Sequence, residues 1–128
     1  MLNYLTHIEL IVAIVALTLA ESYYNSWLIE KKKVDPHKWD SWVRRGLVYL
    51  VLVILSGHNY VFMSIPLMFW WLFDTSFNVF RGENLTYVGN VHFFDKFQYG
   101  FEGPAFFFKF ILFLAGLFQI ITDNTGYF

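Results

Sequence analysis

Every lysine and arginine of this chain falls on one side of the alternation set up by its apolar runs. Lys31, Lys32, Lys33, Lys38, Arg44 and Arg45 lie between the first and second runs. Arg81 and Lys96 lie between the third and fourth, and Lys109 stands just inside the fourth. The first residues, the link around His58 and the last residues carry neither. A chain that crosses a bilayer keeps its Lys/Arg-rich connections in the cytoplasm. The asymmetry therefore predicts four passes, with both termini outside and both charged connections inside. The expected location is a bacterial inner membrane.

Composition agrees. Of 128 residues 57% are apolar and 23% aromatic, and the mean hydropathy is +0.46. A water-soluble domain of this size has too little interior to hide so much apolar surface. Sixteen Phe, eight Tyr and five Trp suit membrane interfaces, where amphipathic rings collect. A net charge of −1 gives no field that would attract nucleic acid, so no nucleic-acid partner is expected. Without cysteine there are no disulfides and no thiolate metal sites. No basic n-region or small-x-small cleavage site marks a signal peptide, so the first apolar run reads as a retained helix. Residues 1–128 read as one integral membrane domain.

The fold class expected is all-α: a four-transmembrane-helix bundle. Its spans run over about 4–29, 40–57, 60–80 and 104–121, each long enough for a hydrocarbon core of about 30 Å. Ser56-Gly57-His58-Asn59 separates the second span from the third as a turn. Arg81-Gly82-Glu83-Asn84 reads as a helix stop, and Pro104 suits a first helical turn. Between the third and fourth spans, about 91–100, aromatic and polar residues interleave from Val91 to Tyr99. That pattern predicts a short amphipathic helix in the cytoplasmic interface.

The polar residues within the spans gather toward the cytoplasmic side. Glu21 and Asn25 are four apart and share a helix face, as do His37, Asp40 and Arg44, and Asp74, Asn78 and Arg81. His92 and Asp95 form a further pair. Charges at membrane depth cost about 2.5–3.5 kcal/mol each by insertion scales, so they face the bundle interior and take partners. Arg44 is the candidate partner for Asp74 or Glu21.

Three readings of this cluster stay open. One is a structural lock made of Glu21, Asn25, His37, Asp40, Arg44, Asp74, Asn78 and Arg81. A second is a divalent-metal site, with Glu21, His37, Asp40, Asp74, His92 and Asp95 as ligands converging from facing helices. The third is a lipid-head-group site held by Arg44, Arg45, Arg81 and Lys96. The last two together describe a lipid-acting enzyme in which a metal- or carboxylate-activated water attacks a bound ester. The non-enzymatic alternatives are a pore-forming, holin-like protein and a structural subunit of a larger membrane assembly. Membrane lipids, other subunits or further copies of the chain are the partners expected.

Other residues take plainer readings. His7 and Glu9 anchor the outer start of the first helix, and His58 is solvated in its turn. Lys109 snorkels to the cytoplasmic head groups. Lys31 to Lys33 set topology and meet anionic lipid. Asn84-Leu85-Thr86 fits a glycosylation triplet, but the topology places it inside. Phe106 to Phe108 is a lipid-facing or packing surface. The chain has no Gly-rich phosphate loop, no Gly-x-Ser-x-Gly elbow and no His-Glu-x-x-His.

Two stretches carry a resemblance. The first is Phe73-Asp74-Thr75-Ser76-Phe77-Asn78-Val79-Phe80-Arg81-Gly82, then Leu85-Thr86-Tyr87-Val88-Gly89, then Phe94-Asp95-Lys96. The second is His37-x-x-Asp40-x-x-x-Arg44. Together they resemble a pattern in small polytopic membrane proteins of bacteria and their phages. No activity attaches to that family, so the resemblance implies only that Asp74, Asn78, Arg81 and His37 act as one unit and that a phage-encoded role is open.

Overall fold

The computed structural model describes residues 4–29, 39–86 and 100–123, and of residues 39–41 the backbone only. His37, His92, Asp95, Lys96 and the segment expected to form an interfacial helix, apart from Gly100, lie outside the described residues. So does the side chain of Asp40. Among the described residues the fold is all α, with four helices and no strand.

Helix α1 spans His7–Trp27. Its start is written in Thr6-x-x-Glu9: the Thr6 hydroxyl accepts from the Glu9 backbone N–H, and the Glu9 carboxylate accepts from the Thr6 N–H. This reciprocal box satisfies two donors that a helix start otherwise leaves open. Helix α2 spans Trp39–Ser56. It stops where Gly57 takes a φ of 75° and sends its N–H back to the carbonyls of Val53 and Ile54. The Ser56 hydroxyl bonds the Val53 carbonyl and accepts from the His58 N–H, so the polar tetrapeptide is a built turn.

Helix α3 spans Val61–Phe80 and continues across Pro66, which lacks the N–H that would reach Phe62. It ends in a Schellman motif: Gly82, at φ 71°, donates to Val79 and Glu83 donates to Asn78. Helix α4 spans Glu102–Ile121, with Pro104 in its first turn. These bounds fall within a few residues of the four expected spans.

Neighbours across the bundle give the topology. Leu5 bonds Leu55, and Thr18 bonds Tyr49, so α1 and α2 are antiparallel. Ser22 meets Ser76 and Tyr23 meets Phe80, so α1 and α3 run the same way. Ser64 meets Gln119 near one end of α3 and Asp74 meets Lys109 nearer the other, so α4 is antiparallel to α3. Helix α3 is the hub, packed along α1 on one side and α4 on the other, whereas α2 touches its neighbours sparingly. The described cations Arg44, Arg45, Arg81 and Lys109 consequently lie toward one end, the cationic end. His7, His58 and Asp123 stand at the opposite end.

Toward the His58 end an apolar cluster stands with the buried Ser56, His58 and Ser64, and toward the other end the buried residues of α1 are polar. Leu10, Ile14, Val61, Ile65, Met68 and Ile120 form the apolar part. The buried stripe of α1 then continues as Thr18, Ser22 and Asn25, all at 0% exposure. Helices α3 and α4 approach closely at Gly116, where an added Cβ would lie 2.8 Å from Met68 Cγ and 2.9 Å from the Ser64 carbonyl. The outer surface is the reverse: Ile8 is 74% exposed, Phe118 67% and Phe107 64%.

Helices α1 and α4 are long and apolar enough to cross a membrane. At about 1.5 Å per residue each reaches roughly 30 Å. Helices α2 and α3 are diluted: α2 carries Asp40, Arg44 and Arg45, and α3 carries Ser64, Pro66, Asp74, Ser76 and Asn78.

Candidate functional site

The polar residues of the cationic end separate into two charge centres. In the first, Glu21 of α1 faces two consecutive arginines of α2. Its Oε1 accepts from Arg44 Nη2 at 2.5 Å and from Arg45 Nε at 2.7 Å. Asn25 Nδ2, one turn on, reaches the same oxygen at 3.4 Å. One carboxylate thus serves two guanidinium groups, and the centre keeps a net positive charge.

The two arginines sit differently. Arg44 is 40% exposed and lies over the Tyr24 ring. Arg45 is 6% exposed, with the rings of Trp42 and Phe73 about 5 Å from its guanidinium carbon and Phe69 slightly farther. Such rings stabilise a desolvated cation through their negative faces. Its Nη2 is nevertheless buried without a hydrogen-bond partner among the described residues. A buried donor left unmet costs about 1–3 kcal/mol.

Arg45 also stands at the junction of two grooves, each of about 330 Å³. One runs between α1 and α2 and is lined by Leu17, Tyr24, Arg44, Val48 and Tyr49. The other runs between α2 and α3 past Trp42, Tyr49, Val53, Ile65 and Phe69. Both exist because α2 is sparingly packed. Tyr49, hydrogen-bonded to Thr18 at 2.9 Å, forms a shared wall.

The second centre joins α3 to α4. Lys109 Nζ donates to Asp74 Oδ2 at 2.7 Å and lies 5.7 Å from the Trp70 ring centroid. Lys109 is only 4% exposed. This corrects the expectation that it snorkels to the head groups: it enters the core because Asp74 meets it there. The expected pairing of Arg44 takes the Glu21 alternative.

The remaining members of the expected cluster are tied locally. Asn78 Nδ2 donates to the Leu85 carbonyl and pins the chain after α3. Arg81 lies over Phe77, 5.6 Å from its ring centroid. Between the two charge centres Ser22 and Ser76 join α1 and α3 by a 2.7 Å hydroxyl contact, a pair that charge-focused reading of the sequence passes over. Of the metal-ligand set, Glu21 and Asp74 each face a cation of the chain. His37, Asp40, His92 and Asp95 fall where side chains are not described.

At the opposite end, His58 is 5% exposed, which corrects the expectation of a solvated imidazole. The Tyr60 ring packs 5.3 Å from it, and Asp123 Oδ2 stands 3.4 Å from its Nδ1. Burial follows from convergence: the end of α4 closes over the α2–α3 turn.

Comparison of the chain with protein-family models, curated proteins and solved structures finds no significant match. The class rests on the fold alone: among the described residues, all α with two helices long and apolar enough to span a membrane.

Proposed function

We propose that the chain is a four-span integral protein of the bacterial inner membrane, with both termini outside the cytoplasm, and that its cationic end binds the head group of an anionic phospholipid. The reversed distribution of side chains supports the membrane reading: hydroxyls and amides fill much of the interior while large apolar groups face outward. In a bilayer α2 and α3 complete the bundle because Arg45, Ser64, Ser76 and Asn78 turn inward. The cations at one end match a cytoplasmic face.

One observation carries the binding site. Arg45 is buried, oriented by Glu21 and three aromatic rings, and its Nη2, closed off from solvent, has no acceptor among the described residues in the packed state. A phosphate oxygen entering from the grooves beside α2 would supply the acceptor once the side chains over Nη2 part, and would cancel the surplus charge. Arg44 offers a second, more accessible donor, and the apolar grooves beside α2 suit acyl chains. Glu21, engaged by both guanidinium groups, is a charge partner rather than a free base. The packed interior at Leu10, Ile14, Met68 and Ile120 makes a pore through a single copy the weaker reading.

The test is native mass spectrometry of the protein in a mild detergent with phosphatidylglycerol or phosphatidylcholine. Retention of phosphatidylglycerol well above phosphatidylcholine is expected, and Arg44→Gln, at the exposed arginine, should abolish the preference. Equal retention of both lipids by the wild type would refute the site.

A further inference from the structure

We infer that His7, His58 and Asp123 form a binding site for one divalent transition-metal ion of the zinc class, at the end of the bundle remote from the arginines. The three residues come from the first turn of α1, the α2–α3 turn and the segment just beyond α4. One ligand atom from each lies within 4.8 Å of the other two.

The donor set fits the ion. Two imidazole nitrogens and one carboxylate oxygen are the ligands that zinc and its neighbours take where thiolate is absent, and three protein ligands leave a fourth position for water. In a tetrahedral shell with bonds of about 2.0–2.1 Å the donors stand roughly 3.3 Å apart. His58 Nδ1 and Asp123 Oδ2 are already 3.4 Å apart. His7, whose ring centroid is 6.3 Å from that of His58, has to close by up to about 1.5 Å, the difference between the 4.8 Å span and the tetrahedral spacing. It stands at the helix start and is only partly buried, so that movement is open to it.

The surroundings favour a cation. The His58 and Asp123 side chains are 6% and 7% exposed, so an ion there would be shielded from water on most sides. Asp123 also borders an open recess of about 740 Å³ between α3 and α4, lined by Met63, Leu67, Phe118 and Gln119. Glu9 does not compete for the ion, because the Thr6 backbone holds its carboxylate. A contact between His58 and Asp123 alone accounts for two of the three residues, but gives no reason for a second imidazole beside them. A metal ion does. It would strap three chain segments together at the end where, among the described residues, no Lys or Arg is found.

The test is independent of the lipid site. Wild-type protein, purified without a histidine tag in mild detergent, is titrated with Zn²⁺ against a chromogenic chelator. One ion per chain is expected, together with a rise in melting temperature that a chelator reverses. His7→Gln and Asp123→Asn should each weaken binding at least tenfold, and either suffices if His58→Gln fails to fold. A His37→Gln/His92→Gln variant should bind as the wild type does. Absence of stoichiometric binding by the wild type overturns the inference. So does binding that survives His7→Gln and Asp123→Asn but is lost when His37 and His92 are replaced.

Discussion

Replacing Asp74 by Asn probes the internal energetics of this bundle most directly. The Lys109 side chain is 6% exposed and Asp74 31%, with the ammonium 2.7 Å from the carboxylate. Neutralising Asp74 leaves an ammonium among apolar helices. Loss of one partner of a buried pair costs about 3–5 kcal/mol, and the Trp70 ring offsets only about 0.5–2 of that. A net loss of about 3 kcal/mol follows, or roughly 10 °C in melting temperature at a few degrees per kcal/mol. The reverse change is milder. Lys109→Met leaves a carboxylate that is one-third open, so the expected cost is about 1–2 kcal/mol. Asp74→Leu with Lys109→Met removes both charges and should return to within about 1 kcal/mol of wild type, because apolar packing can replace a buried pair. The five tryptophans report unfolding in detergent. An Asp74→Asn protein that melts with the wild type, or a double variant no more stable than Asp74→Asn, would refute this account.

Three other substitutions test packing and topology. Gly116→Ala should destabilise the protein by about 1–3 kcal/mol, since the Ser64 carbonyl cannot yield as the Met68 side chain can. A gain in thermal stability would show that the α3–α4 approach is wider than described. In this cysteine-free chain a single introduced thiol reports its own location. Asn59→Cys should react with an impermeant thiol reagent on intact cells, and Glu83→Cys only after lysis; labelling of Glu83→Cys in intact cells would reverse the topology.

The helices were legible in the sequence because local chemistry bounds them. Ser56-Gly57 and Arg81-Gly82 each place a glycine where the chain must take a positive φ. The Glu21–Arg44 contact was legible only as one of two alternatives, the other being Asp74; the antiparallel hairpin, which brings the end of α1 to the start of α2, selects it. Asp74 with Lys109 was not. Its register depends on how closely α3 and α4 approach, and the sequence marks that approach only by the single small residue Gly116. His7, His58 and Asp123 show the same limit. The charge asymmetry assigns all three to one side of a bilayer. Their lateral convergence depends on tertiary packing, which no periodicity within a single helix encodes. Exposure misled as well: a histidine in a polar turn reads as solvated until the end of a distant helix covers it.

The central position of α3 has a consequence for biogenesis. Ribosomal synthesis releases α1 and α2 first, yet the serine-lined flank of α1 finds its complement only in the helix that comes third. In a bilayer the early hairpin would hold Ser22 against lipid until α3 is delivered, joined meanwhile by Glu21 with its two arginines, the Thr18–Tyr49 hydroxyl pair and the Leu5–Leu55 backbone bond. Assembly would thus be gated by the arrival of one segment, and a nascent chain halted after residue 57 would be a natural substrate for membrane quality control.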